Sequence, residues 1–186
     1  MIDTIKQHLI PLDEQPDIKD SLKCAAVLLP LVFNRQDDLW EVILTRRAEH
    51  LKHHPGQISF PGGGYEDKDD SLSETATRET YEEIGIPDNK IQLIGRLPQQ
   101  QTVSQYNVTP YVGIVDSDYK LTIDRNEVEE VFTAPLTFVT DQTNQEKVTE
   151  TINGHQYSFY VIRYKHYNIW GATARILVNF TRRISR

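Results

Sequence analysis

The spacing of apolar and polar positions divides the chain into short strands and a few helices. Ile2, Ile5 and Leu9 recur at helical spacing, and Pro11 to Asp20 reads as a loose acidic lead-in. Ala25 to Phe33 is a nearly unbroken apolar run, which predicts a buried strand with Pro30 at a bulge or an edge. Asn34 to Asp38 has turn chemistry and Leu39 to Thr45 is a second strand, so the two form a hairpin. Ile58 to Phe60 is a short strand that delivers the chain into a glycine-rich turn. The spacing then predicts a helix from Leu72 to Ile84, opened by a capping box of Ser71 and Glu74 and closed by Gly85 with Pro87 beyond. Ile91 to Arg96 and Val108 to Val115 are strands, and the polar QQQTVSQYN between them is a loop near the site. Glu127 to Phe132 alternates poorly, yet Val128, Val131 and Phe132 predict a partly buried strand, with Pro135 to Thr140 a short helix opened by proline. Lys147 to Ile152 and Gln156 to Tyr164 flank Asn153-Gly154, a strong hairpin signal. A last helix after Trp170-Gly171 presents Ala174, Ile176, Leu177 and Phe180 to the sheet. Mixed strands with one central and one terminal helix predict a single-domain α/β/α sandwich, residues 24–186, behind a lead-in of residues 1–23.

The central helix carries an unusual face. At roughly 100° per residue, Glu79, Glu82 and Glu83 fall within about 100° of arc. Leu72, Ala76, Thr80 and Ile84 share that side, so the glutamates border the buried stripe instead of opposing it. Crowded carboxylates at the edge of a buried face repel one another and resist desolvation, which calls for a positive partner. Oxygen-only ligands suit a hard divalent cation, Mg²⁺ or Mn²⁺, better than zinc. From the helix alone, ordinary surface glutamates paired by Arg78 and Lys68 fit equally well. An EF-hand does not fit, because Leu72 stands where its loop needs glycine and Arg78 where it needs glutamate.

Composition narrows the classes. With 186 residues and 38% hydrophobic content, the chain can bury one sizeable core. Cys24 is the single cysteine, which excludes an internal disulfide framework and suits a reducing compartment. The N-terminus MIDTIKQHLIPLDE lacks the pattern of a signal peptide, and no apolar run approaches a membrane span, so a cytoplasmic protein is expected. A net charge of −7 argues against general affinity for nucleic acid. Against it, Thr45 to His54 concentrates Arg46, Arg47, Lys52 and three histidines, a basic patch suited to a small anionic ligand. Self-association as a homodimer is left open.

Taken with its glycines, the segment Phe60 to Ile86 resembles the Nudix box, G-x5-E-x7-R-E-U-x-E-E-x-G-U with U aliphatic. Gly64, Arg78, Glu79, Glu82, Glu83, Gly85 and Ile86 match in register. Asp70 stands at the first Glu position and Thr80 at an aliphatic one, while Asp69 takes the carboxylate's place if Gly63 is the anchor. Upstream, Ile43 to Gly63 resembles the signature of the coenzyme A pyrophosphatase branch of that family. Ile43, Leu44, Thr45 and Arg47 fit its LLT-x-R element, and Gly56, Phe60, Pro61, Gly62 and Gly63 fit its G-x3-FPGG element. Lys52 replaces the branch's usual arginine, keeping charge but losing bidentate geometry.

The resemblance implies a Nudix-type fold and attack of metal-activated water on one phosphorus of a diphosphate. Glu79, Glu82 and Glu83 would hold Mg²⁺ or Mn²⁺, with Arg78 orienting a carboxylate. Arg46, Arg47 and Lys52 would meet substrate phosphates, and Gly62 and Gly63 would let the backbone approach metal or phosphate closely. For the group that takes water's proton, Glu127, Glu129 and Glu130 are candidates, with Glu129 or Glu130 favoured if that strand edge lines the cleft. The substrate would be CoA or a derivative, giving 4'-phosphopantetheine and adenosine 3',5'-bisphosphate. Another nucleoside diphosphate conjugate such as ADP-ribose or NADH is the alternative. A catalytically silent ligand sensor is a third, against which the retention of all three glutamates weighs.

Overall fold

The computed structural model describes residues 1–16, 23–152 and 155–185. Four helices, α1 (Ile2–His8), α2 (Leu72–Ile84), α3 (Leu136–Thr140) and α4 (Gly171–Ile184), are distributed among eleven strands. The strands are β1 (Lys23–Asn34), β2 (Leu39–Arg47), β3 (Ile58–Ser59), β4 (Gly62–Gly64), β5 (Ile91–Arg96), β6 (Gln100–Gln101), β7 (Tyr106–Val115), β8 (Val128–Pro135), β9 (Gln145–Ile152), β10 (His155–Tyr164) and β11 (Tyr167–Trp170).

The larger sheet runs β3-β2-β1-β7-β5, with β4 also on β1, β6 on β7 and β8 on β2. Its β1–β7 pair is parallel and its other pairs antiparallel, so the sheet is mixed as expected. A smaller antiparallel sheet, β11-β10-β9, lies apart from it. The apolar run of β1 is explained by burial on both faces. Ala26 and Leu28 meet Leu72 and Ala76 of α2, while Leu29 and Leu31 enter the larger core with Leu177 and Phe180 of α4. The layering is therefore α2 on one face, sheet, and α4 on the other, an α/β/α single domain.

Pro30 lies at neither a bulge nor an edge, since β1 pairs with β7 straight through it. Leu28 donates its N–H to the Pro61 carbonyl at 2.9 Å, and two residues on, position 30 faces the same side. There β4 pairing ends at Val27 and β2 pairing begins at Leu31, so the missing donor of proline falls in the gap between two partners.

The first residues fold as the short helix α1, and residues 11–16 are a mostly exposed turn tethered to the sheet. Ile5 and Leu9 are buried, Ile10 bridges Arg96, and the buried Arg96 guanidinium donates to the Glu14 and Gln15 carbonyls. QQQTVSQYN is not a simple loop, because Gln100 and Gln101 pair with β7 and Arg175 of α4 donates to both. Strands β9 and β10 pair as a hairpin, although Asn153 and Gly154 lie outside the described residues. No helix among the described residues is long and apolar enough to cross a membrane.

Candidate active site

The helix bounds and both caps of α2 agree with the sequence expectation. Ser71 accepts from the Glu74 N–H at 3.2 Å, and Gly85 ends the helix in the left-handed region at φ 77°. The capping box is not reciprocal. Glu74 reaches past Ser71 to the Asp70 N–H, at 2.6 Å.

Arg78 organises the acidic side of α2. Its guanidinium grips Asp69 with two parallel bonds, Nε to Oδ1 at 2.7 Å and Nη2 to Oδ2 at 2.9 Å. Nη1 donates to Glu79 and Glu82, each at 2.9 Å, and Nη2 also donates to the Gly64 carbonyl at 3.2 Å. Of the two loop carboxylates left open by the sequence, Asp69 is the partner. Its side chain is 1% exposed and accepts further bonds from the Glu66 N–H and the Thr75 hydroxyl, whereas Asp70 is exposed. The Arg78 guanidinium beside it holds the Asp69 carboxyl well below the usual carboxylate range. Thr75→Val should therefore cost about 1–2 kcal/mol, read from urea unfolding, because it removes one donor from a buried anion.

The three glutamates occupy graded environments. Glu82 is 47% exposed, the Glu79 side chain 13%, and Glu83 only 4%. Burial pushes the Glu79 carboxyl up, Arg78 pulls it back, and Glu82 and Glu127 add to the rise. Glu83 is pushed up to about 8, first by burial and then by the charges of Glu127 and Glu79. Arg47 and the Gly62 backbone work against that rise.

Glycines let the sheet touch these carboxylates. The glycine run is a strand, not a turn, with Gly62, Gly63 and Gly64 opposite Val27, Ala26 and Ala25 of β1. A Cβ at position 63 would sit 2.6 Å from the Glu79 carboxylate, and one at position 62 would lie 2.4 Å from the Ala26 carbonyl. A side chain at position 62 would push β4 off the β1 backbone, and one at position 63 would displace the Glu79 carboxylate.

The basic run divides. Arg47 acts on Glu83 on the α2 side of the sheet. Arg46 faces the α4 side, 3.4 Å from Glu130 and 3.2 Å from Glu49. Glu130 also accepts from the Tyr167 hydroxyl at 2.7 Å, and Tyr167, stacked on Phe132, is pushed up to about 12 by burial and by that carboxylate. Arg46 and Glu130 thus form a part-exposed ion pair away from the glutamates of α2, although the Arg46 Nε makes no hydrogen bond among the described residues. Glu129 is exposed at the bulge where Arg46 pairs Glu130 and Arg47 pairs Val128, and its carbonyl accepts from Arg125. Of the three candidates Glu127, Glu129 and Glu130, it is Glu127 whose charge acts on Glu79 and Glu83, while Glu130 is engaged by Arg46 and Tyr167. Lys52 is exposed in the loop between β2 and β3.

Among the described residues no three His, Cys, Asp or Glu side chains already stand as a metal cage, Glu79 and Glu82 being turned onto Arg78. The chemistry of the site nevertheless fits a divalent cation. Glu83 Oε2 is buried without a hydrogen-bond partner among the described residues. Around it, burial and the neighbouring carboxylates disfavour the charged form of Glu83, and of the nearby cations Arg47, Lys68 and Arg78, Arg78 is already shared with Asp69.

A mixed sheet between two helices, with glutamates on the central helix abutting a glycine strand, is the arrangement that the resemblance implies. Residues 22–152 match the NUDIX domain family model. The chain is 39% identical over 153 residues to "Uncharacterized Nudix hydrolase NudL" of Enterobacter sp. (strain 638), covering 82% of this chain and 78% of that protein. It is 38% identical over the same length to the protein of that name from Escherichia fergusonii. Among solved structures, a MutT/nudix family protein from Enterococcus faecalis superposes with a TM-score of 0.56 at 15% identity, covering 94% of this chain and 66% of that one. RenU, a Nudix hydrolase from M. smegmatis, gives 0.54 at 18% identity, covering 72% and 81%. The chain belongs to the Nudix family and is a Nudix hydrolase. The family generally uses divalent metal ions.

Proposed function

We propose that this chain hydrolyses the diphosphate bond of coenzyme A or a CoA derivative, giving 4'-phosphopantetheine, or its acyl form, and adenosine 3',5'-bisphosphate. One observation carries the reading. The upstream signature does not merely precede the box in sequence, because Arg47 acts on Glu83 and Gly63 lies against Glu79. Residues that resemble a CoA-branch signature thus adjoin the carboxylates expected to do the chemistry.

Glu79, Glu82 and Glu83 would hold Mg²⁺ or Mn²⁺, which when bound supplies charge neutralisation at the phosphates and a more acidic water. Arg78 orients Glu79 and Glu82 through one shared nitrogen, Nη1. Arg47 offers its guanidinium to a phosphate, with an Nε that is buried and has no hydrogen-bond partner among the described residues. Gly62 and Gly63 leave the β4 backbone free of side chains beside Glu79. Glu127, exposed beside the cluster, accepts the proton of the attacking water at its carboxylate. Arg46, whose Nε likewise lacks a hydrogen-bond partner among the described residues, is a second candidate for a substrate phosphate, since its part-exposed pairing with Glu130 is weak.

The test is product identification after incubation with CoA, acyl-CoA, ADP-ribose or NADH, each with Mg²⁺ or Mn²⁺. Adenosine 3',5'-bisphosphate from CoA supports the reading. Turnover of ADP-ribose or NADH alone replaces CoA with another conjugate, and no turnover of any leaves a sensor. Glu82→Gln should lower kcat on the order of a hundredfold while leaving the unfolding midpoint near that of the wild type.

A further inference from the structure

Lys68 sits at the rim of the carboxylate cluster in a frame that fixes where it points. The Asp69 N–H bonds the Glu66 carbonyl at 2.9 Å, closing a tight turn with Lys68 at its third position. Both ends of that turn are tied down. The Glu66 N–H donates to Asp69 Oδ2, Asp69 is gripped by Arg78, and the Tyr65 hydroxyl donates to the Asp69 carbonyl at 2.9 Å. From this turn the Lys68 ammonium lies 3.2 Å from Glu66 Oε2 and 3.6 Å from Glu82 Oε1. The other oxygen of Glu82 accepts from Arg78 at 2.9 Å. Both oxygens of a half-exposed carboxylate are therefore already served by cations.

We propose that Lys68 is an exchangeable counter-cation, competing with a divalent ion for Glu82 and, once displaced, meeting the substrate's phosphates at the rim. This rests on the functional reading above. The geometry favours exchange over permanent pairing. Arg78 is 14% exposed and locked by its bonds to Asp69 and Gly64, whereas the Lys68 side chain is 55% exposed and holds Glu82 through one longer contact. The Glu82 contact is the longer of the two that Lys68 makes, so an ion binding Glu82 displaces the lysine at little cost, since exposed ion pairs are weak. The freed ammonium stays within reach because its turn is anchored, and a compact, flexible, strongly hydrated cation suits a phosphate that must also leave.

The two halves of the proposal have opposite signs. Lys68→Met should tighten Mn²⁺ binding on the order of threefold to tenfold by calorimetry without substrate, since one competing positive charge is gone. At saturating Mn²⁺ the same variant should raise KM for CoA roughly fivefold with kcat nearly unchanged. Lys120→Met, which removes an equal charge from an exposed lysine outside this cluster, should change neither. Unaltered Mn²⁺ affinity in Lys68→Met, or an equal change in Lys120→Met, overturns the competition. An unaltered KM overturns the phosphate contact. The metal arm needs no substrate, so wild-type protein that binds Mn²⁺ identically to the variant sinks this inference alone. A wild type that takes up no Mn²⁺ sinks it together with the functional reading.

Discussion

Arg78→Met is expected to destabilise the protein by about 3–5 kcal/mol and to abolish measurable turnover, because it strands a buried anion. Asp69, with its side chain 1% exposed, would lose both bonds of the guanidinium fork, and Glu79 and Glu82 would lose the group that holds them together. Arg78→Lys should fall between, keeping a charge but losing the planar fork. The pH dependence follows from the direction in which Asp69 is displaced. A carboxyl whose folded pKa is depressed contributes stability above its unfolded value and loses it only as pH falls through the folded one. Wild type should therefore keep this contribution at neutral pH and lose it only in strong acid. The variant should lack it at neutral pH, as urea unfolding at pH 7 and pH 3 would reveal.

Glu83→Gln is expected to separate activity from stability. Turnover should drop on the order of a thousandfold, because the buried Oε2 without a partner is the most committed atom of the cluster. Stability should move the other way in the presence of a chelator. The Glu83 carboxyl is raised to about 8, so the folded state holds its proton more tightly than the unfolded chain. Its contribution is fully present below the unfolded value near 4.5 and is lost as pH rises through the folded value. Chelated wild type should thus weaken between pH 5 and pH 9, each tenfold difference in proton affinity between folded and unfolded chain being worth about 1.4 kcal/mol. Glu83→Gln should flatten that slope and melt higher than wild type at pH 9. A glutamate kept only for folding would show the reverse, with the variant less stable at every pH.

Much of the fold was legible where one local signal sufficed. The bounds of α2 follow from Ser71 and Gly85, and the buried face of α4 from the spacing of Ala174, Leu177 and Phe180. What escaped depends on partners distant in sequence. Three consecutive glycines carry no periodicity, so only pairing with β1 makes Gly62–Gly64 a strand. The four residues of β11 are too few to announce themselves, yet they bring Tyr167 to Glu130. In the site, the glutamates of α2 were legible because helical spacing fixes their direction. Arg46 and Arg47 were not separated, because reading them as part of a basic run hid the strand alternation that sends them to opposite faces. Glu127, Glu129 and Glu130 were not told apart for a related reason: a bulge resets which residue of β8 lies opposite Arg47, and a bulge leaves no mark in the hydrophobic pattern. The tie between Asp69 and Asp70 needed the turn at Glu66, which decides the carboxylate that points inward.

The glutamates of α2 as holders of a divalent ion are the point on which the enzymatic account stands. Titrating Mn²⁺ into the chelated and desalted protein while following the free ion by electron paramagnetic resonance tests it without assuming a substrate. The account predicts saturable uptake by wild type, with affinity reduced at least about tenfold in each of Glu79→Gln, Glu82→Gln and Glu83→Gln. Uptake that is absent in wild type, or equal in all four proteins, would contradict it.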